Sequence, residues 1–407
     1  MKIRSITVFL DPGWPADRAV FERAGTFLAA ARPALQALGY EVQSARLALP
    51  PYSRFIPAAE LAHLPRLAAE LEAAAREQGF EYLSLGPALP EHPGSFDPIP
   101  PALAATQSVF FSGLMTLAGG GISLEAVHAC ARVIERAKEI TPDGFANLRF
   151  CALANTSPGG PFFPSAYHRG GGPEFALAAQ AADLAVEAFG AAQSLEEAGR
   201  RLVEAVEAHA GRLEAACRRL SEEQGVKFGG LDLTLAPFPS AGDSIGAALE
   251  KLGLPGVGRH GSLAAAAFLM DSLEGARYPR AGFNGLMLPV LEDSILAQRA
   301  AEGCLTVKDL LMYSAVCGTG LDTVPLPGDT GAPELAAVLL DVAALSQRLE
   351  KPLTARLMPV PGKKAGDQTA FDFAFFANSR VMALEAEALS GSLAGRGVLH
   401  LGPRRSS

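Results

Sequence analysis

Apolar positions along the chain fall into two alternating patterns. Short β-branched or Leu-rich runs recur at Ile3–Leu10, Glu41–Leu47, Tyr82–Leu85 and Leu148–Asn155. They return at Leu231–Ala236, Leu286–Val290, Leu321–Leu326, Leu353–Val360 and Val398–Leu401. Each is short enough for a strand and is bounded by Gly, Pro or polar residues. Between them lie Ala- and Leu-rich segments whose charges keep to one face, the signature of amphipathic helices. These predict helices over Ala16–Leu38, Ala58–Gln78, Ser123–Ile140, Glu174–Phe189 and Ser194–Gln224. In the second half they predict Ser244–Leu252, Ser262–Glu274, Asp293–Glu302, Val307–Val316, Pro333–Glu350 and Val381–Leu393. Ser123 is placed to cap its helix, and Ser194-Leu195-Glu196-Glu197 has the form of a capping box. Two stretches stay irregular: Pro87–Pro101, rich in proline, and Gly159–Pro173, rich in Gly, Pro and aromatics.

Strands alternating with helices make βαβ units, hence mostly parallel strands covered by helices. Eight or nine strands in 407 residues suit a closed barrel or one large doubly wound sheet. Neither a repeat nor a low-complexity linker divides the chain, so one large α/β domain over residues 1–407 is expected rather than two.

Composition narrows the class. Apolar residues are 49% and charged residues 19% of the chain, which allows a large core and excludes wholesale disorder. The net charge of −8 offers no concentrated positive field to nucleic acid. Five scattered cysteines (130, 151, 217, 304 and 317) form no C-x-x-C pair, which argues against a disulfide framework or a structural zinc. The apolar run after Met1 stops at Asp11, too short for a signal peptide, and no window is apolar enough for a membrane span. A cytoplasmic protein with a small-molecule ligand is expected, with no nucleic acid and no membrane. Ala- and Leu-rich faces at Ala176–Ala188 and Ala336–Leu345 would serve either internal packing or a homo-oligomer interface.

In parallel α/β architectures ligands bind beyond the carboxyl ends of the strands, so chemistry is sought there. Asp11 follows the first strand, and Asn155 the strand that ends there. His168 ends the aromatic loop after Asn155 and is the most suggestive of seven histidines. Asp243 and Ser244 follow Leu231–Ala236; Glu292 and Asp293 follow Leu286–Val290. Asp322, Asp329 and Thr330 accompany Leu321–Leu326. Pro361-Gly362-Lys363-Lys364-Ala365-Gly366-Asp367 follows Leu353–Val360. That string is no Walker A loop, because Lys364 stands where Ser or Thr belongs. Turns favour such residues in any case, and a capped helix start explains any one of them alone. If the strands are parallel, however, the loops converge on one rim.

Several of these strings resemble a known family. They are Asp232-Leu233-Thr234-Leu235-Ala236-Pro237 with Gly242-Asp243-Ser244, and Phe283 through Asp293. To these are added Leu321-Asp322 with Pro327-Gly328-Asp329-Thr330, and Arg356-Leu357-Met358-Pro359-Val360 continuing through Asp367. Together they resemble the family called domain of unknown function 711, best between about 145 and 370, with residues 1–120 matching more loosely. The resemblance implies a large α/β barrel of about ten strands like that of pyruvate formate-lyase, helices outside. It does not carry over glycyl radical chemistry, since Gly395-Arg396-Gly397-Val398 lacks the Arg-Val-x-Gly-aromatic pattern.

The first functional expectation is an enzyme of lyase or hydrolase type acting on a small polar or anionic metabolite at the strand rim. His168, Lys363 and Asp329 would be catalytic. Asp11, Asn155, Asp243, Ser244, Asp322, Thr330, Lys364 and Asp367 would bind substrate. A divalent cation would fit Glu292 and Asp293; no nucleotide-cofactor motif is present. The alternative is a non-catalytic small-molecule sensor on the same barrel.

Overall fold

A computed structural model describes residues 1–403. Its strands are β1 (Lys2–Phe9), β2 (Ala45–Ala48), β3 (Tyr82–Ala88), β4 (Val109–Leu114), β5 (Ile122–Ser123) and β6 (Phe150–Ala154). They continue with β7 (Glu174–Gln180), β8 (Lys227–Ala236), β9 (Gly320–Pro327), β10 (Leu353–Val360) and β11 (Val398–Leu399). Nine of them form one sheet in the order β8-β7-β1-β2-β3-β4-β6-β10-β9. The five central strands β1, β2, β3, β4 and β6 run parallel. Two flanking pairs, β7 with β8 and β10 with β9, are parallel within themselves and antiparallel to the centre. The sheet is therefore mixed rather than mostly parallel. β5 and β11 make a separate two-stranded ribbon.

The two edge strands share one neighbour. Leu231 of β8 is bridged to Arg280, and Asp322 of β9 is bridged to Pro289. The segment 279–291 thus lies along both edges, with Leu231 N donating to Pro279 O at 2.8 Å and Gly318 N to Leu286 O at 3.1 Å. The pattern predicts a strand at Leu286–Val290, but this segment makes only isolated bridges. Pro289 has no N–H to donate, and a short 3-10 turn at Val290–Glu292 follows at once. Gly285 and Gly318 meet so closely that a Cβ on Gly285 would stand 2.5 Å from Gly318 Cα.

Each strand has two unlike faces. Ile6, Val8, Leu47, Leu83, Phe111, Leu177, Leu233 and Leu357 point outward into the main apolar core with the helices. The inner face is mixed: Thr7, Arg46, Ser84, Asp232, Thr234 and Arg356 alternate with those residues along the same strands, and all are buried. Long helices cover the outside. The helix Leu195–Gln224 starts where expected, with Ser194 Oγ accepting from Glu197 N at 3.1 Å. Only half of the box forms, because Glu197 turns back to Gln193 N instead of Ser194 N. Ser123 caps Leu124–Ala137 as predicted. The Ala336–Leu345 face lies within Ala332–Leu349, with Ala336, Leu339, Leu340, Val342 and Ala343 buried inside the chain.

Three further elements depart from the pattern. Glu174–Gln180 is a strand, not the first half of a helix, and the helix begins at Ala182. Alanine favours helix locally, but packing decides here. Phe175 and Leu177 enter the outer core, while Ala176 and Ala178 leave room for Phe163 and Phe162 inside. Val109–Leu114 is an additional strand between β3 and β6. The chain beyond Val381 runs as an irregular strap rather than a helix. Val381 N and Met382 N donate to Asp367 O and Pro325 O, holding it extended across the surface. Among the described residues no helix is long and apolar enough to cross a membrane.

Candidate functional site

The aromatic loop after β6 turns inward. Thr7 Oγ1 donates to Pro161 O at 2.9 Å, Ser84 Oγ to Ala166 O at 2.7 Å, and His168 N to Leu49 O at 3.0 Å. These contacts draw Phe162, Phe163 and Ala166 against the inner face of the central strands. Phe163 packs there among Phe9, Ala48, Phe110 and Ala176. The loop plugs the end of the sheet where ligands are commonly sought.

Against the plug lies a pocket of about 300 Å³ that reaches the surface at Glu81 and Gln107. Its charged walls come from the first half of each strand: Arg4 of β1, Arg46 of β2, Asp322 of β9 and Arg356 of β10. Cys151 of β6 and Tyr82 of β3 stand beside them, and Glu292 enters from the turn after Pro289. Apolar lining comes from the plug and from Phe145, Phe283, Met287, Phe373 and Phe375. Phe373 and Phe375 lie in a loop closed at its base by Asn378, whose Oδ1 accepts from Phe371 N at 2.8 Å and whose Nδ2 donates to Phe371 O at 3.1 Å.

The charges form one network with an unpaired member. Glu292 Oε2 accepts from Arg4 Nη2 at 2.5 Å and Glu292 Oε1 from Arg356 Nη2 at 2.8 Å. Arg356 Nε also donates to Asp322 Oδ1 at 2.6 Å. The two carboxylates hold the Arg356 guanidinium well above its usual range, against the opposing effect of burial. Burial raises the pKa of Asp322, with Arg356 opposing. Arg46 is 9% exposed, donates Nε to Ser44 Oγ at 3.0 Å, and lies against the rings of Phe163 and Tyr82 at 5.3 and 5.6 Å. Among the described residues no carboxylate is within ion-pairing distance of it. Burial, reinforced by Arg4, pulls its pKa down to about 9, so it stays charged at neutral pH. Arg4 Nη1 is likewise buried without an acceptor. Burial pushes the Cys151 thiol far above its usual value, the reverse of what a thiolate nucleophile requires.

Of the residues the sequence singles out, the cavity takes Asp322 and Glu292. Asp293 does not join them. Its Oδ1 accepts from Ser244 Oγ at 2.7 Å and from Ile295 N and Leu296 N at 2.9 Å; its Oδ2 accepts from Ile245 N at 2.6 Å and Gly246 N at 3.2 Å. It therefore joins the starts of two helices, Ile245–Lys251 and Ser294–Ala301, with Ser244 as its partner cap. With Glu292 bound to two guanidinium groups and Asp293 to these donors, neither carboxylate is free for a cation. Among the described residues no group of three His, Cys, Asp or Glu side chains is placed to hold a metal.

The others serve local structure. Asp11 accepts from Gly13 N at 3.0 Å. Asn155, in a left-handed conformation, bridges to Ser346 and Gln347 at 2.9 Å each. Asp243 accepts from Ser240 Oγ at 2.7 Å. Thr330 O receives Lys138 Nζ at 3.1 Å. The turns carrying Asp329 and Lys363 do meet, Gly328 N donating to Lys363 O at 2.9 Å. They meet at the surface, where Asp329, Lys364 and Asp367 are exposed, and Asp367 Oδ2 closes its own turn on Lys364 N at 2.7 Å. His168 is 1% exposed beside Phe9, with neither ring nitrogen partnered among the described residues, and it lies outside the cavity lining. Sequence reasoning missed Arg4 and Arg46. Arg46 carries a sequence signal, a charged residue inside an otherwise apolar strand; Arg4 shares the parity of the outward-facing Ile6 and Val8, and a register shift between Ile3 and Ser5 sets it apart from them.

A nine-stranded mixed sheet with helices around it and a buried arginine–carboxylate network defines the class: an α/β protein with a pocket lined by charged strand residues and aromatic rings. The model of the uncharacterised family DUF711 matches residues 1–378, and the chain belongs to that family. It is 36% identical to a UPF0210 protein of Pyrobaculum aerophilum over 376 residues, covering 86% of this chain and 81% of that one. It is 32% identical to a UPF0210 protein of Methanopyrus kandleri over 373 residues, with the same two shares. A third, from Methanosarcina acetivorans, is 31% identical over 355 residues, covering 82% and 75%.

Proposed function

We propose that this chain is an enzyme of lyase or hydrolase type that binds a small organic anion in this pocket. The site lies against the plug, not on the strand rim. Sheet and plug are read together as one barrel-like domain, the segment 279–291 occupying the gap between β8 and β9. The observation that carries the proposal is Arg46. A buried charge without a counter-ion is costly and is retained where a ligand supplies the missing partner. Asp322 is the group best suited to move a proton: it borders the cavity, and burial raises its affinity for one. Lys363 and Asp329, outside the cavity, are assigned no step.

A second reading has an observation in its favour. Glu292 and Asp322 are both bound to Arg356, an arrangement that suits a rigid binding protein as well as a catalyst. One experiment separates the two. Ligands that raise the melting temperature are tested on Asp322→Asn. A catalyst loses turnover of its ligand while keeping affinity within a few fold, and a sensor changes only in affinity. If no anion stabilises the protein, the proposal fails.

A further inference from the structure

Resting on the reading of the cavity as an anion site, we propose that its ligand is a monocarboxylate with an apolar or aromatic body, held by Arg46 and Arg4. Charge sets the first property. Three guanidinium groups, Arg4, Arg46 and Arg356, face two carboxylates, Glu292 and Asp322, in a buried network. Of the remaining lining charges, Glu81 has a counter-ion, and Arg149 has its donors taken by backbone carbonyls. Glu81 pairs with Arg32 at 2.6 Å, and Arg149 donates to Leu103 O at 2.7 Å and Thr106 O at 3.0 Å while Glu72 acts on it electrostatically. Within that network of five side chains one positive charge is left over. A monoanion neutralises it; a phosphate monoester dianion would leave a surplus negative charge buried next to Glu292 and Asp322.

Geometry sets the second property. The Arg46 guanidinium lies against two aromatic rings and its Nε is taken by Ser44, which leaves the terminal amino groups for an incoming group. A planar carboxylate matches a guanidinium fork bidentately. Arg4 adds Nη1, which has no acceptor of its own. Arg4 and Arg46 come from neighbouring strands, β1 and β2, both line the cavity, and Arg4 is near enough to act electrostatically on Arg46, so one bound anion lies in the field of both. Size and lining set the third. The cavity of about 300 Å³ is at the small end for ligand pockets. It is also walled by Phe145, Phe163, Phe283, Met287 and Phe373. A ligand whose body is polar throughout would leave its own groups unsatisfied against those rings.

The test is calorimetric titration of the full chain at pH 7 with benzoate, 3-phenylpropanoate and hexanoate. These are compared with acetate, succinate, phenyl phosphate, inorganic phosphate and the neutral benzamide. At least one apolar monocarboxylate is expected to bind ten-fold or more tighter than every compound in the second group. Arg46→Met is expected to weaken that binding thirty-fold or more and Arg4→Met less, with circular dichroism and the melting transition confirming that both fold. Arg46→Lys serves if Arg46→Met does not fold, and weakens binding about ten-fold because the point charge lacks the fork. Tighter binding of phenyl phosphate or succinate, lost in Arg46→Met, overturns the monocarboxylate class and leaves the anion site standing. Equal binding of benzoate and benzamide, or carboxylate binding indifferent to Arg46, overturns the assignment of the arginines. Absence of binding by every anion overturns both this inference and the reading on which it rests.

Discussion

Glu292 and Arg356 face each other at 2.8 Å inside the sheet, and the second oxygen of the same carboxylate holds Arg4. One acidic side chain thus ties β1 to β10, strands at opposite ends of the chain. Removing one partner of a buried ion pair strands the other charge, which typically costs about 3–5 kcal/mol. Glu292→Gln leaves Arg4 and Arg356 short of a counter-charge, with only Asp322 remaining. Its unfolding free energy from urea titration is expected to fall by an amount in that range, with the denaturant slope unchanged. A loss under about 1 kcal/mol would mean that water or a flexible cavity already screens these charges.

Arg46 presents the opposite case. It has nothing to strand, being itself the unpaired charge. Exchanging it for a long apolar side chain removes a desolvation cost. It also removes two ring contacts worth about 0.5–1 kcal/mol each and one hydrogen bond to Ser44. Arg46→Met is expected to leave the ligand-free protein as stable as the parent or up to about 2 kcal/mol more stable, measured by thermal or denaturant unfolding. Stability gained together with lost ligand binding is the signature of a residue kept for function. A destabilisation of about 3 kcal/mol or more would instead make Arg46 a structural residue.

Asp293 is the junction of two helix starts, accepting two backbone N–H groups from each together with the Ser244 hydroxyl. Asp293→Ala leaves several buried donors without an acceptor, each worth about 1 kcal/mol or more. A loss of about 3–5 kcal/mol is expected, and Ser244→Ala should lose about 1–2 kcal/mol. Anion affinity in the cavity should change less than three-fold in Ser244→Ala, the milder variant. Stabilisation by millimolar Mg²⁺ or Ca²⁺ that vanishes in Asp293→Ala would show that this carboxylate binds a cation after all.

Much of the architecture was legible because local preference and tertiary packing agree. The helix Leu195–Gln224 has a cap, a long amphipathic face and a closing Gly225, and no competing choice. Legibility failed where the two conflict. Ala176 and Ala178 look helical in a window of alanines, yet they are small because two phenylalanines of the plug rest on them. The site failed for a related reason. Arg46, Asp232, Thr234 and Arg356 sit inside strands at alternate positions, a period-2 polar stripe that marks a lined interior. Strand ends were the natural place to look, and most of the residues found there turn out to close turns and cap helices. Only pairing across the sheet shows that Arg4, Glu292 and Arg356, far apart in sequence, are neighbours.

His168 supplies a prediction about pH. Burial lowers its pKa from the ordinary value of 6.5, so the native state resists protonation while the unfolded chain accepts a proton freely. Below about pH 6.5 the unfolded state binds more protons, and stability falls as pH falls; above that value the contribution is fully present. His128 and His209 are shifted in the same direction, so the parent protein shows their sum. His168→Leu is expected to flatten the fall in stability between pH 7 and 5 relative to the parent, the two other histidines being common to both. It removes two unpartnered ring nitrogens from an apolar site, so it should cost little at pH 7. An unchanged slope would mean that the ring takes up its proton alike in the native and unfolded states.

Asp329 and Lys363 provide the sharpest contrast with the cavity. Their turns are in contact through the Gly328–Lys363 backbone hydrogen bond, and a Cβ on Gly328 would meet Val360 O at 2.3 Å. The backbone therefore accounts for the conformation of both turns without either side chain. Asp329 is exposed and Lys363 half-exposed, and neither enters an ion pair among the described residues. Substitutions at such positions usually stay within about 0.5 kcal/mol. Asp329→Ala and Lys363→Ala should each unfold within that margin of the parent and bind cavity ligands with unchanged affinity in calorimetric titration. Gly328→Ala, by contrast, should destabilise by about 2 kcal/mol or more, because backbone must shift to admit the methyl group. Should Lys363→Ala abolish turnover of a cavity ligand while leaving its affinity intact, the exposed turn takes part in the chemistry and must move to reach it.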